Sequence, residues 1–183
     1  MAHNILFLAH VDESGKALPK AAYEVLGASV EIAEQTGGTL TVGLIGENVQ
    51  EVANTVATAS ARILCVCGLD FSHPRYSTDA AAVEAICRAA APDLVIAPAT
   101  SRFLRVMPGV SHRLKAHVDT HITSIDLHDG VLSAKRWFYR QRLEAVIQRD
   151  ARPWVLMRKV GATDRLGAVR RCEIERGRTS QAA

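Results

Sequence analysis

Two short segments place ligand-binding residue types where a chain of alternating strands and helices would use them. Ala9-His10-Val11-Asp12 follows an apolar run, and Pro98-Ala99-Thr100-Ser101-Arg102 follows another and leads into a helical pattern. In open parallel sheets, ligands bind beyond the carboxyl ends of the strands, near the point where strand order reverses. Thr100 and Ser101 suit a helix start: their oxygens can cap its free N–H groups, and the same N–H groups can hold a phosphate. Arg102 and Arg105 add positive charge beside them. Ala9, His10, Thr100, Ser101 and Arg102 are therefore the candidate nucleotide-binding residues, for an adenine nucleotide such as AMP. Plain capping by Thr100 and Ser101, and a satisfied structural role for His10, are the competing readings.

Other chemistry finds less support. No Gly-x-Gly-x-x-Gly, no Gly-Lys-Ser/Thr loop and no Gly-x-Ser-x-Gly elbow occurs, so dinucleotide, P-loop and serine-hydrolase readings have no anchor. Cys65 and Cys67 stand two apart in a strand-like run and share a face. They read as a redox or metal pair or, as the expectation adopted, as small apolar filling in a buried strand. His112, His117, His121 and His128 lack familiar ligand spacing, and no metal site is expected from them. Trp137-Phe138-Tyr139 among Arg136, Arg140 and Arg142 could stack on bases. Alternation along a strand would instead put one or two of these aromatics in the core, and nucleic-acid binding is not expected.

The elements that would position these residues follow from periodicity. Asn4 to Val11 reads as a buried strand, closed by Asp12-Glu13-Ser14-Gly15. Pro19 opens a helix whose apolar positions recur at helical spacing until Gly37-Gly38. Thr39 to Ile45 is a second strand, Glu47 to Ser60 a helix, and Arg62 to Cys67 a third strand. Ser77 is placed as the cap of a helix reaching about Ala90, before a fourth strand at Leu94 to Ala97. This alternation predicts a parallel sheet covered on both faces. From Val118 on, the strand-like pieces Thr120–Leu127, Val131–Tyr139, Leu143–Gln148 and Trp154–Met157 follow too closely for helices, and antiparallel pairing is expected there.

At 183 residues and 48% apolar, the chain can bury one substantial core. No apolar run approaches the roughly 20 residues of a membrane span, and the N-terminus lacks the basic start of a secretory signal. A cytoplasmic location is expected. The formal charge of +3 hides an asymmetry: 9 Lys and Arg against 14 Asp and Glu before residue 135, and 13 against 5 from there on. A basic end of this kind suits an anionic partner.

Several of these segments together resemble electron-transfer flavoprotein alpha subunits. They are Ile5-Leu6-Phe7-Leu8-Ala9-His10, Gly15-Lys16-Ala17-Leu18-Pro19, Glu24-Val25-Leu26-Gly27-Ala28, Pro92-Asp93-Leu94-Val95-Ile96, Ala99-Thr100-Ser101-Arg102, Arg136-Trp137-Phe138-Tyr139 and Arg152-Pro153-Trp154-Val155. The resemblance covers about residues 4–160. It implies the N-terminal domain of that family, with an adenine nucleotide alpha hydrolase-like fold. The chain departs from the family at Arg140-Gln141-Arg142, where small residues and Gly are usual, and at Leu104-Arg105, where an acidic residue is usual. The family's flavin site lies in a following domain that has no matching positions here.

The resulting expectation is a three-layer, doubly wound, mostly parallel α/β domain over 1–160, with extra antiparallel strands in the C-terminal third. A basic, partly disordered tail is expected over 161–183. The resemblance implies a structural, partner-docking subunit of an electron-transfer assembly, not a catalyst by itself. Its partner would be a beta-like flavoprotein subunit in a heterodimer or a separate flavin domain, with a homo-oligomer as an alternative. FAD would belong to the assembly and not to this chain alone. Arg136, Arg140 and Arg142 are the candidate docking residues, and a stand-alone adenine-nucleotide-binding domain is the alternative function.

Overall fold

The computed structural model describes residues 3–60 and 62–159. The expected tail over 161–183 lies outside the described residues, as does Cys172.

Four strands and four helices alternate first: β1 (Asn4–His10), α1 (Lys20–Thr36), β2 (Thr39–Gly46), α2 (Gln50–Val56), β3 (Arg62–Cys67), α3 (Tyr76–Ala90), β4 (Leu94–Pro98) and α4 (Ser101–Arg113). Strands β5 (His117–His128), β6 (Val131–Phe138), β7 (Leu143–Ile147) and β8 (Trp154–Arg158) complete an eight-stranded sheet in the order β3-β2-β1-β4-β8-β5-β6-β7. The order reverses at β1, which pairs in parallel with both β2 and β4.

Alternation along β1 sorts the two faces. Ile5, Phe7 and Ala9 join the core built with α1 and α2, while Leu6 and Leu8 join the core built with α3 and α4. All five are fully buried, as a central strand covered on both sides requires. Gly43 of β2 lets α3 approach closely. A Cβ there would lie 2.8 Å from Ile86 Cγ2 and 2.7 Å from Leu8 Cδ2.

Several boundaries differ from the sequence reading for local reasons. The second helix covers only Gln50–Val56, with a 3₁₀ turn over Ala57–Ala59. Helix α3 starts at Tyr76 after Arg75, and no side chain caps it, so Ser77 is not its cap. Helix α1 does begin after Pro19 and ends on Gly37 in the left-handed conformation.

The largest correction is to the last third. Strand β8 is not part of an antiparallel segment: it sits between β4 and β5 and runs parallel to both. The first half of β5 continues the parallel sheet, and its second half pairs antiparallel with β6. The change falls at His121, whose φ of 59° breaks the register as a bulge. Among the described residues, only β5–β6 and β6–β7 are antiparallel. Cys65 and Cys67 also depart from expectation: both are exposed on the edge strand β3 and do not fill a core.

Candidate functional site

Strand ends at the carboxyl edge hold the predicted residues close together but in different settings. Ala9 is fully buried, and His10 beside it points to the α3–α4 side. The His10 ring lies on the Phe103 ring with centroids 4.3 Å apart, and neither of its nitrogens has a hydrogen-bond partner among the described residues. Burial, helped by the nearby Arg102 charge and opposed by Asp79, lowers its pKa to about 3. His10 is therefore neutral at physiological pH.

Thr100 is the N-cap of α4, its hydroxyl accepting from the Phe103 N–H at 3.3 Å. Ser101, the first helical residue, is exposed. Arg102 is not available as an isolated cation. Its Nε and Nη2 donate to the two carboxylate oxygens of buried Asp79 at 2.7 and 2.6 Å, and Nη2 also donates to the Phe71 carbonyl. This bidentate pair ties the first turn of α3 to the first turn of α4.

A cleft of about 300 Å³ opens at this edge, lined by the loops after β1, β2 and β3. Of the five predicted residues only Arg102 reaches it, while Asp12, Glu13 and Glu47 bring three carboxylates. Ser14 donates from both its amide and its hydroxyl to Asp12 Oδ1. These bonds, the hydroxyl's first, hold the Asp12 carboxyl below its ordinary range. A phosphate entering here meets more negative than positive charge. The cleft sits at the small end of ligand pockets and offers no second cation for a diphosphate. The lining of this cleft does not by itself fit a flavin dinucleotide.

A second surface lies at the opposite edge of the sheet. The β6–β7 hairpin leaves Tyr139 74%, Leu143 62%, Val146 58% and Trp137 45% exposed. Register puts Trp137 and Val146 on one face of the hairpin and Leu143 beside Phe138 on the other, with Tyr139 at the turn, and apolar surface exposed in this way marks an interaction site. Arg136 lies over the Phe138 ring at 4.3 Å, whereas Arg140 and Arg142 are exposed at the turn. The structure thus separates the three predicted docking arginines into one stacked and two presented to solvent. Tyr139, Arg140 and Gln141 all have positive φ, between 48° and 65°. This is the region small residues and Gly enter most readily, and bulky side chains hold it at a cost.

The family model described as the electron transfer flavoprotein domain matches residues 8–180. The chain belongs to the electron transfer flavoprotein domain family. Its role is of the electron-transfer flavoprotein kind, and the sequence resemblance to an alpha N-terminal domain stands. A search of curated proteins found no match. Among the described residues, no helix is long and apolar enough to cross a membrane. Sequence reasoning on this family member placed Asp79 near the first turn of its helix but missed its pairing with Arg102, 23 residues away. It also treated Trp137 to Tyr139 as part core, although alternation alone cannot say that a strand lies near a sheet's edge.

Proposed function

We propose that this chain is the alpha-type N-terminal module of an electron-transfer flavoprotein-like assembly, working in the cytoplasm. It docks a beta-like partner subunit through the β6–β7 hairpin and frames a flavin held by residues outside those described. The observation that carries this reading is the hairpin itself, where exposed aromatic and aliphatic side chains adjoin two arginines with no ion pair among the described residues. A large apolar centre with a charged rim is the usual anatomy of a protein interface. Three successive non-glycine residues held at positive φ support it too, since strain of this kind collects where side chains are kept for a task.

The partner surface that fits is acidic around an apolar centre. The test is co-purification of the chain with candidate beta-like subunits, read by size and by flavin absorbance. Reversing Arg140 and Arg142 together to Glu should weaken association about tenfold or more at low salt, while the melting temperature stays within about 1 °C. Association unchanged by both the reversal and added salt would sink the reading.

The cleft at the topological switch favours a second reading, a stand-alone domain that binds an adenine nucleotide. Its location supports that reading and its three carboxylates oppose it. A thermal shift with AMP would carry it, and no shift at millimolar AMP would leave Thr100 as a helix cap only.

A further inference from the structure

Among the described residues, strand β3 is the outer strand at the edge opposite the hairpin, and β2 is its only partner in the sheet. Side chains two apart on a strand share a face. Ile63 lies with the α1–α2 core, and Leu64 and Val66 lie with the other core, so Cys65 and Cys67 continue the face of Ile63. Helix α2, only seven residues long, leaves both cysteines exposed. The residue in register beside Cys67 is Gly46, which has no side chain to crowd it.

We propose that Cys65 and Cys67 form a two-thiolate clasp for a soft monovalent metal ion of the Cu(I) type. Two neighbouring thiols on one open face provide the ligands, and thiolates select soft ions. No group of three or more His, Cys, Asp and Glu side chains that could hold a metal occurs among the described residues. Zinc, which takes four ligands in structural sites, is therefore poorly served, whereas an ion content with two sulfurs is served fully. An internal disulfide suits the pair less well. Strand rise separates the two Cα atoms by roughly 6.6 Å, at the wide end of disulfide geometry.

The exchange balances without an oxidant. Each thiol gives up one proton, the ion gains two sulfur bonds, and no electron moves, leaving a metal–dithiolate unit of charge −1. Cys87 is no competitor, because burial holds its thiol up at about 12.

The test titrates the reduced chain with Cu(I) against the chromogenic chelator bathocuproine disulfonate. A C87S/C172S variant keeps only the pair; should it fail to fold, the unaltered chain is compared with C65S/C67S. One Cu(I) per chain is expected, with affinity lowered at least about 100-fold by C65S or by C67S, the effect of losing one of two ligands. Equal chelator competition by the parent and the C65S/C67S variant would overturn the clasp. So would copper taken up only as a half equivalent by a dimer linked through these cysteines.

Discussion

Protonating His10 would place a cation against Phe103 and beside the Arg102 guanidinium, in a pocket that gives its nitrogens no partner among the described residues. The native chain avoids this by keeping the ring neutral down to about pH 3, against an ordinary value of 6.5. The unfolded chain takes up the proton at the ordinary value, so the unfolded state binds more protons between those limits. Stability must therefore fall as pH drops through 6.5. Between pH 8 and pH 5 this one residue should remove about 2 kcal/mol. Urea unfolding of the wild-type chain and of His10→Phe at both pH values measures it. The variant should lose about 2 kcal/mol less than the wild type over that interval, and equal losses would mean that the native state accommodates the charge. Neighbouring Arg102 was visible in the sequence as a cation near a helix start. Its commitment to Asp79 was not visible, because nothing local marks two residues on different helices as a pair.

At the scale of elements, one carboxylate holds the last third of the chain in place. Asp119 of β5 is buried and accepts from Arg149 Nη2 at 2.9 Å and from the Trp154 indole N–H at 2.8 Å. Strand β5, the segment after β7, and β8 thus meet at a single group, whose pKa is lowered by Arg149 first and by Trp154 after the opposing cost of burial. Asp119→Ala strands the Trp154 N–H in a core where that ring is fully buried. It should cost about 2–4 kcal/mol in urea unfolding. Asp119→Asn, which keeps an acceptor for the indole, should cost less, and equal costs would show that the indole bond contributes nothing. The same region marks where sequence reading ends. The β–α alternation through β4 was legible because each strand is a short apolar run and each helix repeats at its own period. The placement of β8 was not, since four apolar residues pair equally well in either direction and direction depends on what lies beside them. The bulge at His121 hid the same way: a β5 that changes partners midway keeps an ordinary strand pattern. The exposure of Cys65 and Cys67 depended on β3 being an edge, which is a property of sheet order and not of local composition.

At the scale of the whole molecule, exposed apolar side chains and two exposed arginines meet at the β6–β7 end of the sheet. Residues 135–159 carry eight Lys and Arg against two acidic residues. Several of the cations are already engaged: Lys135 with Asp126, Arg149 with Asp119, and Arg158 with the Glu24 carbonyl. Arg140 and Arg142 remain exposed at the hairpin turn, next to Tyr139 and Leu143. These two kinds of group should act on different steps of docking. Exposed charge accelerates encounter from a distance and is screened by salt, while desolvated apolar contacts form late and set how long the complex lasts. Stopped-flow association with the proposed beta-like partner separates the two. Arg140→Glu with Arg142→Glu should lower the association rate about tenfold at low ionic strength, with the difference narrowing as salt rises. Tyr139→Ser with Leu143→Ser should leave that rate and its salt dependence nearly unchanged and speed dissociation about tenfold or more, the cost of losing two buried apolar anchors. If the arginine reversal instead speeds dissociation alone, at every salt concentration, these side chains lie within the contact and do not steer approach to it. If neither pair changes either rate, the partner binds elsewhere and the hairpin's exposed apolar surface needs another occupant.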